Sequence, residues 1–354
     1  MKILITGGAG FVGSSLARLF KQKYEGYEIV CLDNLLRRGS ELNISLLKEK
    51  GITFIHGDVR NPEDLESVGA YDVLIEASAE PSVMAGYGTS PLPLINTNLM
   101  GAVNCFESAR RNSAVVIFLS TSRVYPIEQI LKQEFKEEGE RFVLRIREPI
   151  TAGITSCGIN EAFSLEGTRS MYGATKLSAE LILKEYTDMY GIKSVINRCG
   201  VIAGPGQFGK TDQGILALWA ARHFWKTGLE YIGFGGKGLQ VRDMLHPKDL
   251  FDLIDMQISG IDELNGEIFN VGGGANNSVS LCELTQMCEE STANSINIGS
   301  QAETRYADIP WYISDISKVT KKTGWKPSIS VRQMVDDTVS WIREDEERLK
   351  GIFL

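Results

Sequence analysis

The sequence predicts an α/β protein: a doubly wound parallel sheet, with a smaller mixed α/β lobe in its C-terminal part. Three observations lead there. Short, almost continuously apolar runs alternate with amphipathic helical stretches over residues 1–200. A glycine-rich turn joins the first such run to the first helix. From Ile202 onward glycines cluster (Gly204, Gly206, Gly209, Gly233, Gly235, Gly236, Gly238) and the alternation loosens.

Taken in order, the strands are expected at Lys2–Thr6, Glu28–Asp33, Thr53–His56, Asp72–Ala77, Val115–Ser120 and Ser194–Arg198. Runs apolar on both sides belong to strands covered on both faces, which is the signature of a parallel sheet. Helical patterns fill the gaps at Gly13–Gln22, Pro91–Arg111 and Met171–Tyr190. No hairpin turn is visible among them, which sets an antiparallel α+β fold aside. Residues 126–168 interrupt the alternation with the charged stretch Lys132–Glu148, read either as an excursion over the mouth of the site or as a solvated surface insertion. Residues 1–200 are expected to form the first domain. Residues 201–354 form mainly a second lobe over the sheet's carboxyl edge, with 240–258 returning to the first domain. Ligands of open α/β sheets bind at that edge.

Composition bounds the partners. With 37 Lys+Arg against 45 Asp+Glu, the net charge of −8 argues against a protein that grips nucleic acid or an anionic membrane. The longest apolar run, near Ile215 to Ala221, falls far short of the ~18 residues of a membrane span. The cysteines at 31, 105, 157, 199, 282 and 288 form no Cys-x-x-Cys pair, and the only histidines are His56, His223 and His246. No metal site follows from such spacing, and reduced thiols in a cytoplasmic protein are expected.

Gly7-Gly8-Ala9-Gly10-Phe11-Val12-Gly13 follows the first strand and opens the first helix. Such a turn lets the backbone approach a pyrophosphate, and the helix N-terminus offers free N–H groups to it. The domain is therefore of Rossmann type. Asp33 ends the second strand twenty residues after Gly13, where a carboxylate accepts from a ribose diol and repels a 2′-phosphate. That favours NAD over NADP, although Arg37 and Arg38 lie nearby. Asp58 ends the third strand, within reach of an adenine.

Tyr172-Gly173-Ala174-Thr175-Lys176 puts a phenol and an ammonium on one helical face. Leu119-Ser120-Thr121-Ser122 adds hydroxyls at the end of a strand. Together they match the hydroxyl–Tyr–Lys arrangement that oxidises alcohols with NAD. A tyrosine pKa of about 10 must fall by roughly 3 units, about 4 kcal/mol, to work near neutrality. One cation at ~4 Å contributes about that much at an effective dielectric near 20. Lys176 and a positive nicotinamide ring would supply it between them, with Thr121 holding the substrate oxygen.

These motifs, with Val124-Tyr125, resemble the extended short-chain dehydrogenase/reductase family of nucleotide-sugar epimerases and dehydratases over nearly the whole chain. The resemblance implies a cofactor site of Gly7, Gly10, Phe11, Val12, Gly13, Asp33, Asn34, Asp58, Val59, Ala77, Ser78, Ala79 and Asn98, together with Tyr172 and Lys176. The later motifs resemble the branch that epimerises C2 of CDP-linked hexoses. They are Gly206-Gln207-Phe208 with Thr211-Asp212-Gln213-Gly214, Gln240 to His246, Asn270 to Gly274 with Asn277 to Leu281, and Gly324-Trp325-Lys326-Pro327. By that resemblance Arg242 and Arg305 grip a diphosphate and Asp308 lies near the nucleoside, with Thr121, Ser122, Arg123, Gln207 and Gln213 also on the substrate. A guanidinium fork suits a diphosphate better than lysine does. His246 is expected to be a structural hydrogen-bonder.

The chain departs from the family at three positions. Glu76 stands where the fourth strand usually carries histidine, Val201 where many 4-epimerases have asparagine, and Pro126 where glycine is usual. Dehydratases of the family place an Asp-Glu pair after the threonine; here Ser122-Arg123 follows Thr121, which disfavours dehydration. The alternatives on this scaffold are a UDP-sugar 4-epimerase, a 4,6-dehydratase or a decarboxylase. From another class, the alternative is a catalytically silent NAD sensor, which would be free to lose the Tyr/Lys pair. The family expectation for assembly is a homodimer through the sheet-flanking helices.

Overall fold

The computed structural model describes residues 1–148, 150–209 and 213–354. Seven strands form the main sheet: β1 (Lys2–Thr6), β2 (Glu28–Asp33), β3 (Thr53–His56), β4 (Val73–Glu76), β5 (Val115–Thr121), β6 (Ser194–Cys199) and β7 (Glu267–Val271). Their spatial order is β3-β2-β1-β4-β5-β6-β7, every neighbouring pair parallel. The first six match the expected strands to within a residue or two. The seventh lies in the stretch assigned mainly to the second lobe. Its five residues carry no pattern that separates them from a strand of that lobe, and only pairing along β6, from Val195↔Glu267 to Cys199↔Val271, places them.

The helices that matter for the site are α1 (Phe11–Lys23), α2 (Gly101–Asn112), α3 (Met171–Tyr190), α4 (Ile215–Phe224), α5 (Pro247–Ser259), α6 (Leu281–Thr292) and α7 (Val331–Glu344). Successive side chains of β1 leave opposite faces of the sheet. Ile3 and Ile5 join Phe20 of α1 with Leu250, Phe251 and Ile254 of α5, while Leu4 joins Phe118, Phe106 of α2 and Leu183 of α3. Phe20 meets Phe251 edge to face, with ring centroids 4.8 Å apart. Each fully buried side chain of this kind stabilises the fold by roughly 1.5–3 kcal/mol. Helix α5 thus returns from the excursion of 201–246 to the face that α1 covers.

The second lobe packs α4, α6 and α7 around Leu216, Trp219, Leu284, Met334 and Val339. Ser280 and Glu283 form a reciprocal capping box that starts α6. Strand Val241–Leu245 lies at the centre of this lobe's small sheet, beside Val201–Ile202, Ser278–Ser280 and Trp311–Tyr312.

Hairpins do occur within residues 126–168, against the expectation of none. Glu134–Glu138 pairs antiparallel with Arg141–Arg145 across a turn at Gly139 (φ +58°), and a shorter pair joins Ile154–Thr155 to Gly158–Ile159. The turn signal was hidden because glutamates, not the usual Asn-Gly or Asp-Gly, flank the glycine. The first hairpin rests on the second lobe, with Phe142 N–H donating to the Leu239 carbonyl at 2.8 Å and Arg141 to Ser278 at 2.6 Å.

Candidate active site

At the carboxyl end of β1 the chain turns so tightly that Gly10 N–H donates to the Gly7 carbonyl at 3.0 Å. A Cβ on Gly13 would sit 2.2 Å from the Gly7 oxygen, and one on Gly7 2.8 Å from the Ala77 oxygen. Gly10 starts α1 with no side-chain cap, and the first turn holds no acidic residue. Its N–H groups and dipole therefore remain for an anion. Phe11 and Val12 follow directly on α1. This cradle fits a dinucleotide pyrophosphate.

Asp33 closes the cradle from β2. Its carboxylate accepts from Ala9 N–H at 3.1 Å and from Leu35 N–H at 2.8 Å, with Leu35 held at φ +57°. Burial raises its pKa against these hydrogen bonds. Arg37 and Arg38 turn away from it: Arg37 donates to Gln213 and the Phe208 carbonyl, and Arg38 to the Gly351 carbonyl. Asn34 donates to Asp58 at 2.8 Å, and Arg60 pairs with the same carboxylate at 2.6 Å, drawing it down to about 2. Val59 packs against Gly101, where a Cβ would come within 2.6 Å of its methyl.

The loop after β4 carries Ala77, Ser78 and Ala79. Asn98 pins it from a single π-helical turn, Asn96–Met100, accepting from Glu80 N–H at 2.8 Å and donating to the Glu80 carbonyl at 3.0 Å. That turn interrupts the helix expected to run unbroken from 91 to 111; such bulges are frequent at functional sites.

Helix α3 starts at Ser170, whose hydroxyl accepts from Gly173 N–H at 3.2 Å. Gly173 allows the helix to press on the turn Ser122–Val124: a Cβ there would lie 2.1 Å from the Arg123 carbonyl oxygen. This contact sets Tyr172 beside Thr121, close enough for the threonine hydroxyl to lower the phenol's pKa. Burial pushes the Tyr172 phenol up to about 12; Thr121 and Arg123 oppose that rise and Glu76 adds to it. Lys176 is buried over the Phe118 ring, 4.1 Å from its centroid, and its ammonium lies 3.5 Å from Glu76. The lowering expected from Lys176 does not prevail here: burial dominates and keeps the phenol high, with a carboxylate facing that ammonium. Nothing local in the sequence announced this partner, one hundred residues away.

Beyond Thr121 opens a cavity of about 700 Å³, within the usual range for ligand sites. Arg123, Gln213, Arg242, Arg305 and Asp308 line it, against an apolar wall that includes Trp219. Gln207 is not among its lining residues; its amide donates to the Ile202 carbonyl at 3.0 Å. Ser122 opens the turn between β5 and Arg123. Thr211 and Asp212 lie outside the described residues. The lining residues Glu230, Asn297 and Tyr306 escaped the sequence reading, since they converge from separate segments without a motif, while Gln240 appears there only as the start of the motif that carries Arg242. His246 caps α5, its Nδ1 accepting from Lys248 N–H at 3.1 Å. Among the described residues no group of three His, Cys, Asp or Glu side chains could hold a metal ion, and no helix is long and apolar enough to cross a membrane.

A cradle for a dinucleotide, a Thr/Tyr/Lys set at the sheet edge and a cavity beside it define an oxidoreductase-type site, and the chain belongs to the NAD-dependent epimerase/dehydratase family, whose model matches residues 3–272. It is an enzyme of that family, and its cofactor is NAD. Among curated proteins it is 29% identical to CDP-paratose 2-epimerase of Salmonella typhi, over 96% of this chain and 99% of that one. It is 27% identical to UDP-glucuronate 4-epimerase of Thermodesulfobacterium geofontis, over 99% and 98%. Among solved structures it resembles dTDP-glucose 4,6-dehydratase from Bacillus anthracis in complex with NAD, with TM-score 0.77, 25% identity and 99% of each chain covered.

Proposed function

We propose that this enzyme inverts C2 of a CDP-linked hexose through a transient 2-keto sugar, with no net redox change. The observation that carries the reading is Arg123: a guanidinium, and not the carboxylate pair of a dehydratase, lines the cavity beside Thr121 and Tyr172. Such a site supports oxidation and return without elimination of water. Similarity to the 2-epimerase of Salmonella typhi supports the choice of carbon and base.

Bound NAD supplies a hydride acceptor and, after the ketone has turned, a hydride donor. Gly7, Gly10 and Gly13 would hold its pyrophosphate, Asp33 the adenosine ribose, and Lys176 the nicotinamide half. Tyr172, as phenolate, takes the proton of the C2 hydroxyl while C2 gives up its hydride. Thr121 donates to the resulting carbonyl oxygen and keeps it next to the tyrosine. Arg242 and Arg305 would anchor the diphosphate so that the sugar alone rotates, and Tyr172 returns the proton once hydride is delivered to the other face. The atoms balance, and the product differs only at C2.

A homodimer in a cytoplasmic setting completes the reading. Leu181, Met189 and Tyr190 of α3 are exposed, as is Met100 just before α2, and these apolar side chains on the sheet-flanking helices support a second copy there. All six cysteines are free, in keeping with a reducing compartment.

The test incubates NAD-loaded enzyme with CDP-glucose or CDP-paratose in deuterated water and follows the anomeric and H2 signals by NMR, with UDP-glucose in parallel. A C2-inverted product without deuterium at C2 is expected. Conversion of UDP-glucose to UDP-galactose alone would move the assignment to C4 epimerisation, and loss of water to a dehydratase.

A further inference from the structure

We infer that Glu76 is a positioning residue: its carboxylate fixes the Lys176 ammonium at the floor of the site and offsets that charge until an oxidised nicotinamide brings a second one. The inference rests on the Tyr172–Lys176 chemistry proposed above. Glu76 is the last residue of β4 and is 1% exposed, Lys176 is 2% exposed, and Nζ lies 3.5 Å from Oε2. The other carboxylate oxygen accepts from Ser78 N–H at 3.1 Å and from the Ser78 hydroxyl. The carboxylate is therefore fastened to the cofactor-side loop and aimed at the lysine from below.

Two buried charges of opposite sign in this geometry neutralise each other, and removing one partner leaves the other uncompensated at a cost of several kcal/mol. An ammonium has three N–H donors, so one directed at Glu76 leaves two for a hydroxyl of bound cofactor. The other titratable groups around the pair come from every neighbouring element. Cys105 of α2 and Cys199 at the end of β6 are thiols raised by burial and stay neutral at working pH. Tyr172 sits one helical turn from Lys176, with Arg123 across from it. Only Glu76, Lys176 and Arg123 thus bring charge to Tyr172 from this set. Burial, with Glu76 adding to it, keeps the phenol protonated in cofactor-free protein. NAD⁺ and NADH differ by the positive charge of the ring, so the Glu76 carboxylate would favour the oxidised form of a cofactor held at Lys176. That preference would favour return of the hydride and an enzyme that rests with the oxidised cofactor.

The experiment measures calorimetric affinities of NAD⁺ and NADH, and the pH profile of turnover, for wild type, Glu76→Gln and Glu76→Asp. In Glu76→Gln the NAD⁺ to NADH affinity ratio should fall about tenfold, the scale of one charge–charge contact in a partly buried site. Its turnover should drop, and the acidic limb of its profile should move to lower pH. Glu76→Asp, which keeps the charge, should restore the ratio while turnover stays reduced. A wild-type ratio and an unshifted limb in Glu76→Gln would overturn the inference and leave Glu76 as filler. Should Glu76→Gln fail to fold, wild type minus Tyr172→Phe gives the tyrosinate absorbance directly. That signal should appear at clearly lower pH with NAD⁺ than with NADH, and equal midpoints would overturn the inference. A Tyr172→Phe enzyme that turns over normally would instead sink the underlying chemistry, whatever Glu76 does to the ratio.

Discussion

The Arg242 guanidinium donates to the Asp308 carboxylate at 2.8 Å and to the Ile309 carbonyl at 2.6 Å, tying the central strand of the second lobe to the loop that carries Arg305. Burial draws the guanidinium down to about 10, against the pull of Asp308, so it remains charged at neutral pH. Arg242→Lys loses the fork that can serve Asp308 and a diphosphate together. KM for the nucleotide sugar should rise about tenfold or more, the scale of one lost charged hydrogen bond, with a smaller change in kcat. Steady-state kinetics checks this, and an unchanged KM would remove Arg242 from the binding site.

Tyr172→Phe should fold and retain NAD, because the ring stays and only the hydroxyl beside Thr121 is lost. Turnover should drop at least about 100-fold, the scale for removing a proton-transfer group. Lys176→Ala should be severely impaired too, since it also strands the Glu76 carboxylate. Single-turnover rates and circular dichroism separate lost chemistry from lost fold.

NAD should bind more tightly than NADP. Asp33 is held by two backbone N–H groups and cannot swing clear of a 2′-phosphate, while Arg37 and Arg38 donate elsewhere. Calorimetric titration of cofactor-free protein is the check. Tighter NADP binding would mean that one of these arginines leaves its partner.

Asp243, in the middle of strand Val241–Leu245, is 0% exposed, and burial pushes its carboxyl up to about 6 from 3.8. A raised carboxyl pKa favours the folded state below the unfolded pKa, and that contribution is lost as pH rises through the folded one. Asp243→Asn cannot ionise. Its stability relative to wild type should therefore rise by up to about 3 kcal/mol between pH 4 and pH 7. Denaturant unfolding of both proteins across that range measures it, and a pH-independent difference would show that Asp243 does not titrate there.

The sequence by itself determined whatever is written in local pattern. Six parallel strands were legible because each is a short run that needs cover on both faces. The glycine cradle, Asp33 and the Tyr172–Lys176 spacing were legible because their geometry is set within one turn, one strand end or one helix. Only the tertiary structure decided the rest. β7 became a sheet strand by pairing with β6, the hairpin at 134–145 lay inside a charged run whose turn chemistry is atypical, and the one at 154–159 is only two residues a side. The cavity took Glu230, Asn297 and Tyr306 from segments with no common spacing. Glu76 read as a missing histidine, and became the counter-charge of Lys176 only when β4 and α3 met across one hundred residues of chain. Periodicity and turn chemistry are short-range, whereas the pairing of buried charges is fixed by which elements pack together.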